Sequence, residues 1–183
     1  MPQIVAFVLC SVGLIYVSRA SLRAPGSHGF YRFFAWEFIL TLVLLQLPGW
    51  FTNPLAWNQI LSWLLLAASL VPLVFGVHAI RTRGRPTAQR ADEPQLLAFE
   101  KTTQLITGGI FAYIRHPLYS SLLLLTWGAF FKAPSFPGAA LALASTGFLF
   151  LTARADEAEC RRFFGPEYEA YMQRTRRFVP FLF

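Results

Sequence analysis

Residues 56–80 read Ala56-Trp-Asn-Gln-Ile-Leu-Ser-Trp-Leu-Leu-Leu-Ala-Ala-Ser-Leu-Val-Pro-Leu-Val-Phe-Gly-Val-His-Ala-Ile80, a run without Asp, Glu, Lys or Arg. About 20 apolar residues suffice for a helix to cross the hydrocarbon core of a bilayer. Backbone polar groups inside lipid must be satisfied within the segment, which demands a helix. A membrane β-strand would alternate apolar and polar positions, and this run does not. Pro72 is expected to kink or interrupt the helix. Four further apolar runs surround it, at 2–18, 33–51 (holding one acid, Glu37), 117–133 and 137–153. The last two are short and joined by Lys132-Ala-Pro-Ser-Phe-Pro137, which reads as a helical hairpin. The fold class that follows is all-α and polytopic, with about five transmembrane helices and a helical C-terminal extension.

Composition agrees. Of 183 residues, 55% are hydrophobic and 14% charged, with a mean hydropathy of +0.47. Soluble domains carry about 25% charged residues. The net charge of +7 raises the question of nucleic acid as a partner. The basic residues, however, flank apolar runs, where membrane topology and anionic headgroups account for them. No nucleic-acid partner is therefore expected, and the lipid bilayer is. Cys10 lies in the first run and Cys160 in a charged C-terminal segment, at depths that disfavour a disulfide.

The 16 Lys and Arg residues are distributed asymmetrically. The segments 19–32, 81–116 and 154–183 hold all of them but Lys132. The positive-inside rule then puts the N-terminus outside and the C-terminus in the cytoplasm, which favours an odd number of spans. Arg19 and Arg23 follow the first run instead of preceding it, so that segment reads as a retained anchor and not a cleaved signal. Residues 81–95 look like a flexible cytoplasmic loop. The chain divides into residues 1–100, three spans and that loop, and residues 101–183, where the chemistry concentrates.

Two stretches carry more polar and aromatic residues than topology requires. Leu105 to Tyr119 contains Gly108-Gly109, Tyr113, Arg115, His116, Pro117 and Tyr119. The glycines permit a turn, and Pro117 can open a helix at its first position. Asp156 to Tyr171 continues the fifth run as a helix, with Glu157, Cys160 or Arg161, and Phe164 at helical spacing. Gly165-Pro166 ends that helix and starts another, which bears Tyr168 and Tyr171. The hairpin brings both stretches to the cytoplasmic side, where His116, Glu157, tyrosines and an arginine form a candidate pocket for a polar, cationic cofactor.

The pattern Gly109-x-x-x-Tyr113-x-Arg115-His116-Pro117-x-Tyr119, the hairpin, Asp156-Glu157-x(7)-Gly165-x-x-Tyr168-x-x-Tyr171 and the terminal Pro180-Phe-Leu182 resemble the isoprenylcysteine carboxyl methyltransferase family. Parts are shared with membrane phospholipid methyltransferases. The resemblance covers about residues 100–183. It implies an integral membrane enzyme that transfers a methyl group from S-adenosylmethionine, releasing S-adenosylhomocysteine, to a hydrophobic or lipid-like acceptor such as an isoprenylcysteine carboxylate. It further implies that Tyr113, Arg115, His116, Pro117, Tyr119 and Glu157 form the cofactor pocket. Arg174, with Glu157, matches the catalytic positions, Arg174 placing the acceptor. Departures from the family pattern are Asp156 for Glu, Cys160 for Leu and Ser121 for Gly, and the glycine turn lacks a Gly-Pro pair. No G-x-G-x-x-G follows a strand, so a Rossmann cofactor site is not expected. No metal ligand set is evident.

Two other classes fit parts of the same chain. An NADPH-dependent membrane sterol or isoprenoid reductase could use the Arg-rich loop 81–90 for a 2′-phosphate. A non-catalytic membrane scaffold would tolerate loss of His116 and Glu157. Taken singly, His116 reads as an interfacial cap, Tyr168 and Tyr171 as packing, and Arg174 as one of a headgroup-binding cluster with Arg176 and Arg177. Glu37, inside a span, is a functional candidate or a partner for Arg32.

Overall fold

A computed structural model describes residues 1–84, 97 and 102–180. The loop 81–95 lies mostly outside the described residues, as do Phe181 and Leu182 of the terminal motif. Among the described residues six α-helices follow one another: α1 Pro2–Leu22, α2 His28–Gln46, α3 Trp57–Arg83, α4 Pro117–Phe130, α5 Phe136–Phe164 and α6 Pro166–Arg174. The protein is thus an all-α polytopic integral membrane protein. α1, α2 with its following turn, α3 and α5 are each long and apolar enough to span a bilayer. α4 is apolar but only 14 residues long. At 1.5 Å per residue it covers about 21 Å of an about 30 Å core.

The bounds of α2 and α5 depart from the sequence expectation, each for a local reason. α2 starts at His28, five positions before the apolar run, because the Ser27 hydroxyl caps it by accepting from the Phe30 amide at 3.2 Å. Arg32, expected in a loop, is consequently a buried helical residue whose guanidinium lies 4.8 Å from the Trp36 ring centroid. α3 runs without interruption through Pro72. α5 does not stop at residue 153 but continues to Phe164, where Gly165 takes φ +58° and the chain turns into α6. At 29 residues α5 measures about 43 Å, longer than an about 30 Å hydrocarbon core.

α2 packs along α5, α3 along α4, α4 beside α5, and α1 against α2. Ala35, Leu42, Ala129, Ala142, Leu149 and Ala153 are fully buried where these helices meet. Small residues allow that closeness, the usual means by which helices associate in lipid. Gly128 of α4 sits where even a Cβ would come within 2.9 Å of Leu66, and its carbonyl accepts from Ser62 Oγ at 2.7 Å. Phe148 of α5 meets Phe34 and Phe38 of α2 at 5.3 and 5.5 Å between centroids. α1 shows most of its apolar side chains on the surface, as a helix bordered by lipid should. Glu37 pairs there with α1 and not with Arg32: Ser11 Oγ donates to its Oε2 at 2.7 Å.

One end of the bundle is closed by Lys132, just past α4 and 1% exposed. Its ammonium donates to Gln59 Oε1 at 3.0 Å and lies 3.2 Å from the Trp63 ring centroid. Gln59 Nε2 in turn donates to the carbonyls of Gly49 and Lys132, both at 2.9 Å. The other end, where α4 begins and α5 protrudes, is open and polar.

Candidate functional site

Pro117 at the first position of α4 fixes where that helix starts and leaves His116 as its N-cap residue. The approach to it is a short 3-10 turn, Gly109–Ala112, entered through Gly109 at φ +66°. The Arg83 guanidinium lies close over Gly108, 2.3 Å from where a Cβ would stand, so a larger residue there would displace that side chain. Beyond α6 the chain returns to this segment. The amides of Arg115 and His116 donate to the carbonyls of Arg176 and Arg177 at 2.8 and 3.1 Å, and the Arg176 amide donates to Tyr113 O at 3.0 Å. This parallel bridge is the only strand-like pairing among the described residues. It brings the two polar stretches together.

Glu157 is the hub, 1% exposed. Arg115 Nε donates to its Oε1 at 3.0 Å, and Arg177 donates twice, from Nη2 to Oε2 at 2.7 Å and from Nε to Oε1 at 3.1 Å. Such charge-assisted contacts are the strong ones, and a carboxylate buried this deeply requires them. Arg115 also donates through Nη1 to the carbonyls of Met172 and Thr175, so it ties α5 to the end of α6. His116 stands between the acids, with Nε2 3.4 Å from Glu157 Oε1 and Nδ1 3.4 Å from Asp156 Oδ2. Burial by itself lowers the imidazole pKa; the two carboxylates outweigh that and hold it above its ordinary value. The His116 ring stacks on Tyr119 at 5.3 Å, and the Tyr119 hydroxyl donates to Asp156 Oδ2 at 3.2 Å.

Beside this network lies a cleft holding about 880 Å³ of space outside the protein atoms, part of it open to solvent. Arg115, His116, Pro117 and Tyr119 line one wall, and Asp156, Glu159, Cys160 and Phe164 of α5 another. Tyr168 and Tyr171 of α6, the loop residues Leu105, Ile106 and Phe111, and His28 of α2 complete it. Tyr171 is held by its hydroxyl, which donates to Phe111 O at 2.6 Å. Burial pushes both the Tyr168 and Tyr171 phenols up, so they serve as neutral aromatic walls. The lining thus sets two carboxylates and several aromatic faces beside Arg115 and the imidazoles of His28 and His116, a mixture suited to a zwitterion with an aromatic body. Among the described residues no group of His, Cys, Asp and Glu could hold a metal ion.

The structure brings Arg115, His116, Pro117 and Tyr119 onto the cleft and sets Glu157 directly behind them. Tyr113 is 56% exposed and does not line the cleft. Arg174 is exposed and bonds back to Ala170 O of its own helix at 3.3 Å. The arginine that meets Glu157 from the C-terminal segment is Arg177. Within α5 the cleft face is Asp156, Cys160 and Phe164, one turn apart, while Glu157 points to the arginines. Arg177, Glu159 and His28 had no signal strong enough in the sequence, because each is defined by a partner far along the chain. Neither Cys10 nor Cys160 is in a disulfide, and the Cys160 thiol lies 3.5 Å from Asp156 Oδ1.

Residues 94–167 match the family model described as phospholipid methyltransferase. Two curated relatives, both named probable protein-S-isoprenylcysteine O-methyltransferase, come from Oryza sativa subsp. indica and subsp. japonica. Each is 30% identical to the chain over 123 residues, which cover 66% of this chain and 63% of the relative. The chain therefore spans less than two thirds of the length of these relatives. No solved structure matches it.

Proposed function

We propose that the chain is a member of the isoprenylcysteine methyltransferase-like family of membrane proteins and that it transfers a methyl group from S-adenosylmethionine to a hydrophobic or lipid-like acceptor. The observation that carries the reading is the cleft itself. Most of its lining lies within the segment that the family model matches, and it combines the carboxylates of Asp156 and Glu159 with aromatic faces.

The donor set fits the cofactor. Asp156, with the aromatic faces of Tyr119, Tyr168 and Tyr171, would hold its cationic and adenosyl parts, and His116 and Arg115 would border them. When bound, S-adenosylmethionine supplies an electrophilic methyl group on a sulfonium, so the reactive chemistry is the cofactor's own. The protein's task is alignment and exclusion of water, and alignment alone can contribute about 7–11 kcal/mol to an in-line displacement. Glu157 does this indirectly, by fixing Arg115, His116 and the returning C-terminal segment in one frame. Arg174, outside the cleft, is assigned to attracting an anionic acceptor at the surface. The basic segments place the open end in the cytoplasm, with the N-terminus on the far side.

The rice relatives are named for O-methylation of a protein S-isoprenylcysteine; a carboxylate and a phospholipid headgroup amine are both compatible with a lipid-like substrate. Calorimetric titration with S-adenosylhomocysteine in phosphatidylcholine nanodiscs tests the cofactor. Saturable binding, weakened at least tenfold by Asp156→Asn, is the expected result. A folded wild type that binds NADPH and not S-adenosylhomocysteine would turn the assignment to a reductase.

A further inference from the structure

Three tyrosines line the cleft, and the protein itself engages two of their hydroxyls. Tyr119 donates to Asp156 Oδ2 at 3.2 Å, and Tyr171 to Phe111 O at 2.6 Å. The third differs. Tyr168 is only 3% exposed, yet its hydroxyl has no hydrogen-bond partner among the described residues. A buried hydroxyl in that position has given up its hydrogen bonds to water for nothing in return, and such groups are uncommon in folded proteins unless a ligand or water completes them. The ring does not float. Phe164 lies nearly parallel to it with centroids 6.5 Å apart, and Tyr171 meets it at 5.8 Å. Packing therefore holds the side chain against the cleft before any ligand arrives.

The surroundings define what this hydroxyl can bind. Burial first, and then the neighbouring Cys160, Asp156 and Glu157, hold the phenol far above its ordinary pKa, so it offers a proton and does not lose one. The charged donors of the cleft wall are turned toward acids of the protein. Arg115 gives to Glu157 and to the carbonyls of Met172 and Thr175, His116 stands between Asp156 and Glu157, and His28 meets Glu159. Asp156 is the acid that stays partly open, with 26% of its side chain exposed. One cleft thus holds an acceptor for a cation and an unengaged donor for an anion, and hydrogen bonds to ionised groups are the strong ones. We propose that the Tyr168 hydroxyl donates to the carboxylate of an α-amino-acid moiety in the ligand of this cleft, with Asp156 accepting from the ammonium of the same moiety. The assignment rests on the methyltransferase reading, under which that moiety is the amino-acid end of S-adenosylmethionine.

The test pairs S-adenosylhomocysteine with its decarboxylated analogue, which keeps the amine and lacks the carboxylate. Both are titrated calorimetrically into wild type, Tyr168→Phe and Asp156→Asn in phosphatidylcholine nanodiscs. Tyr168→Phe should weaken S-adenosylhomocysteine about tenfold, as loss of one hydrogen bond to a charged group does, and weaken the analogue far less. Asp156→Asn should weaken both alike, because both carry the amine. Comparing the two losses cancels any general change in the shape of the cleft. The thermal midpoint of ligand-free Tyr168→Phe should equal or exceed that of wild type, since the hydroxyl has no partner in the fold to lose. Equal losses for the two ligands overturn the carboxylate contact, and so does an unchanged affinity for S-adenosylhomocysteine. A lowered ligand-free midpoint, or a variant that does not fold, overturns it as well, because the hydroxyl would then serve the protein itself. A well-folded wild type that binds neither compound removes the methyltransferase reading and this assignment with it.

Discussion

Arg177 reaches Glu157 with two hydrogen bonds, at 2.7 and 3.1 Å, across a separation of 20 residues in which α5 ends, α6 forms and the chain doubles back. The contact closes a loop. Arg115 approaches the same carboxylate from the start of α4, so three segments meet on one buried acid. Removing the acid strands two guanidiniums, whereas removing Arg177 leaves Arg115 in place. Glu157→Ala is accordingly expected to cost about 3–5 kcal/mol, the range for breaking a buried pair from one side. Arg177→Ala should cost less, about 1–3 kcal/mol, close to the loss of charged hydrogen bonds. Denaturant unfolding in nanodiscs checks the order. A larger loss for Arg177→Ala would mean that the C-terminal segment, and not the carboxylate, is the anchor.

This hub shows what could be read from the chain and what could not. The spans were legible because lipid enforces a long apolar run. The stretch around His116 and Pro117 was legible because Pro at a helix start and paired glycines leave local signatures. The choice among Arg174, Arg176 and Arg177 was not. It depends on where α6 stops: Arg174 is its last residue and stays on the helix surface, and three residues of extended chain then carry Arg177 inward. The burial of Arg32 was hidden for a similar reason. A lone arginine before an apolar run reads as a topology signal, while the Ser27 cap that draws it into α2 is a weak signal by itself.

Protonation of His116 links stability to pH. Its pKa is raised in the folded state by Asp156 and Glu157 against the cost of burial. A raised pKa means that the charged imidazole stabilises the fold fully below its unfolded value of about 6.5 and that this contribution is lost as pH rises through the folded value. Thermal midpoints of the wild type should therefore decline from about pH 6.5 upward more steeply than those of His116→Asn. Parallel curves for the two proteins would show that the imidazole does not carry a folded-state proton.

Tyr119 ties the same network to the cleft. Tyr119→Phe keeps the ring that stacks on His116 and deletes only the hydroxyl that donates to Asp156. One such hydrogen bond to a charged group is worth about 1.5–3 kcal/mol. Because Asp156 is partly open to water, the lower end applies, and the expected loss in S-adenosylhomocysteine affinity is about tenfold or less. Calorimetry of the variant beside Asp156→Asn should place it between the wild type and that variant. An affinity below that of Asp156→Asn would show that the hydroxyl contacts the ligand directly.

The closed end of the bundle offers a control for the open one. α4 separates the two by about 21 Å of helix, so changes at Lys132 should leave cofactor binding within about twofold of wild type. Stability should respond unequally to its two partners. Lys132→Met removes a buried charge together with its need for a partner, and such replacements are often neutral or stabilising. Gln59→Leu does the opposite. It leaves the Lys132 ammonium without its acceptor and two buried carbonyls, of Gly49 and Lys132, without their donor. Each orphaned group costs about 1–3 kcal/mol. Gln59→Leu should therefore be the more damaging change by at least about 2 kcal/mol, and the double variant should recover part of the loss because only the carbonyls remain unsatisfied. Thermal unfolding of the two single variants and the double variant measures that coupling. Strict additivity would mean that the lysine ammonium is held by Trp63, at 3.2 Å from its ring centroid, and not by the glutamine.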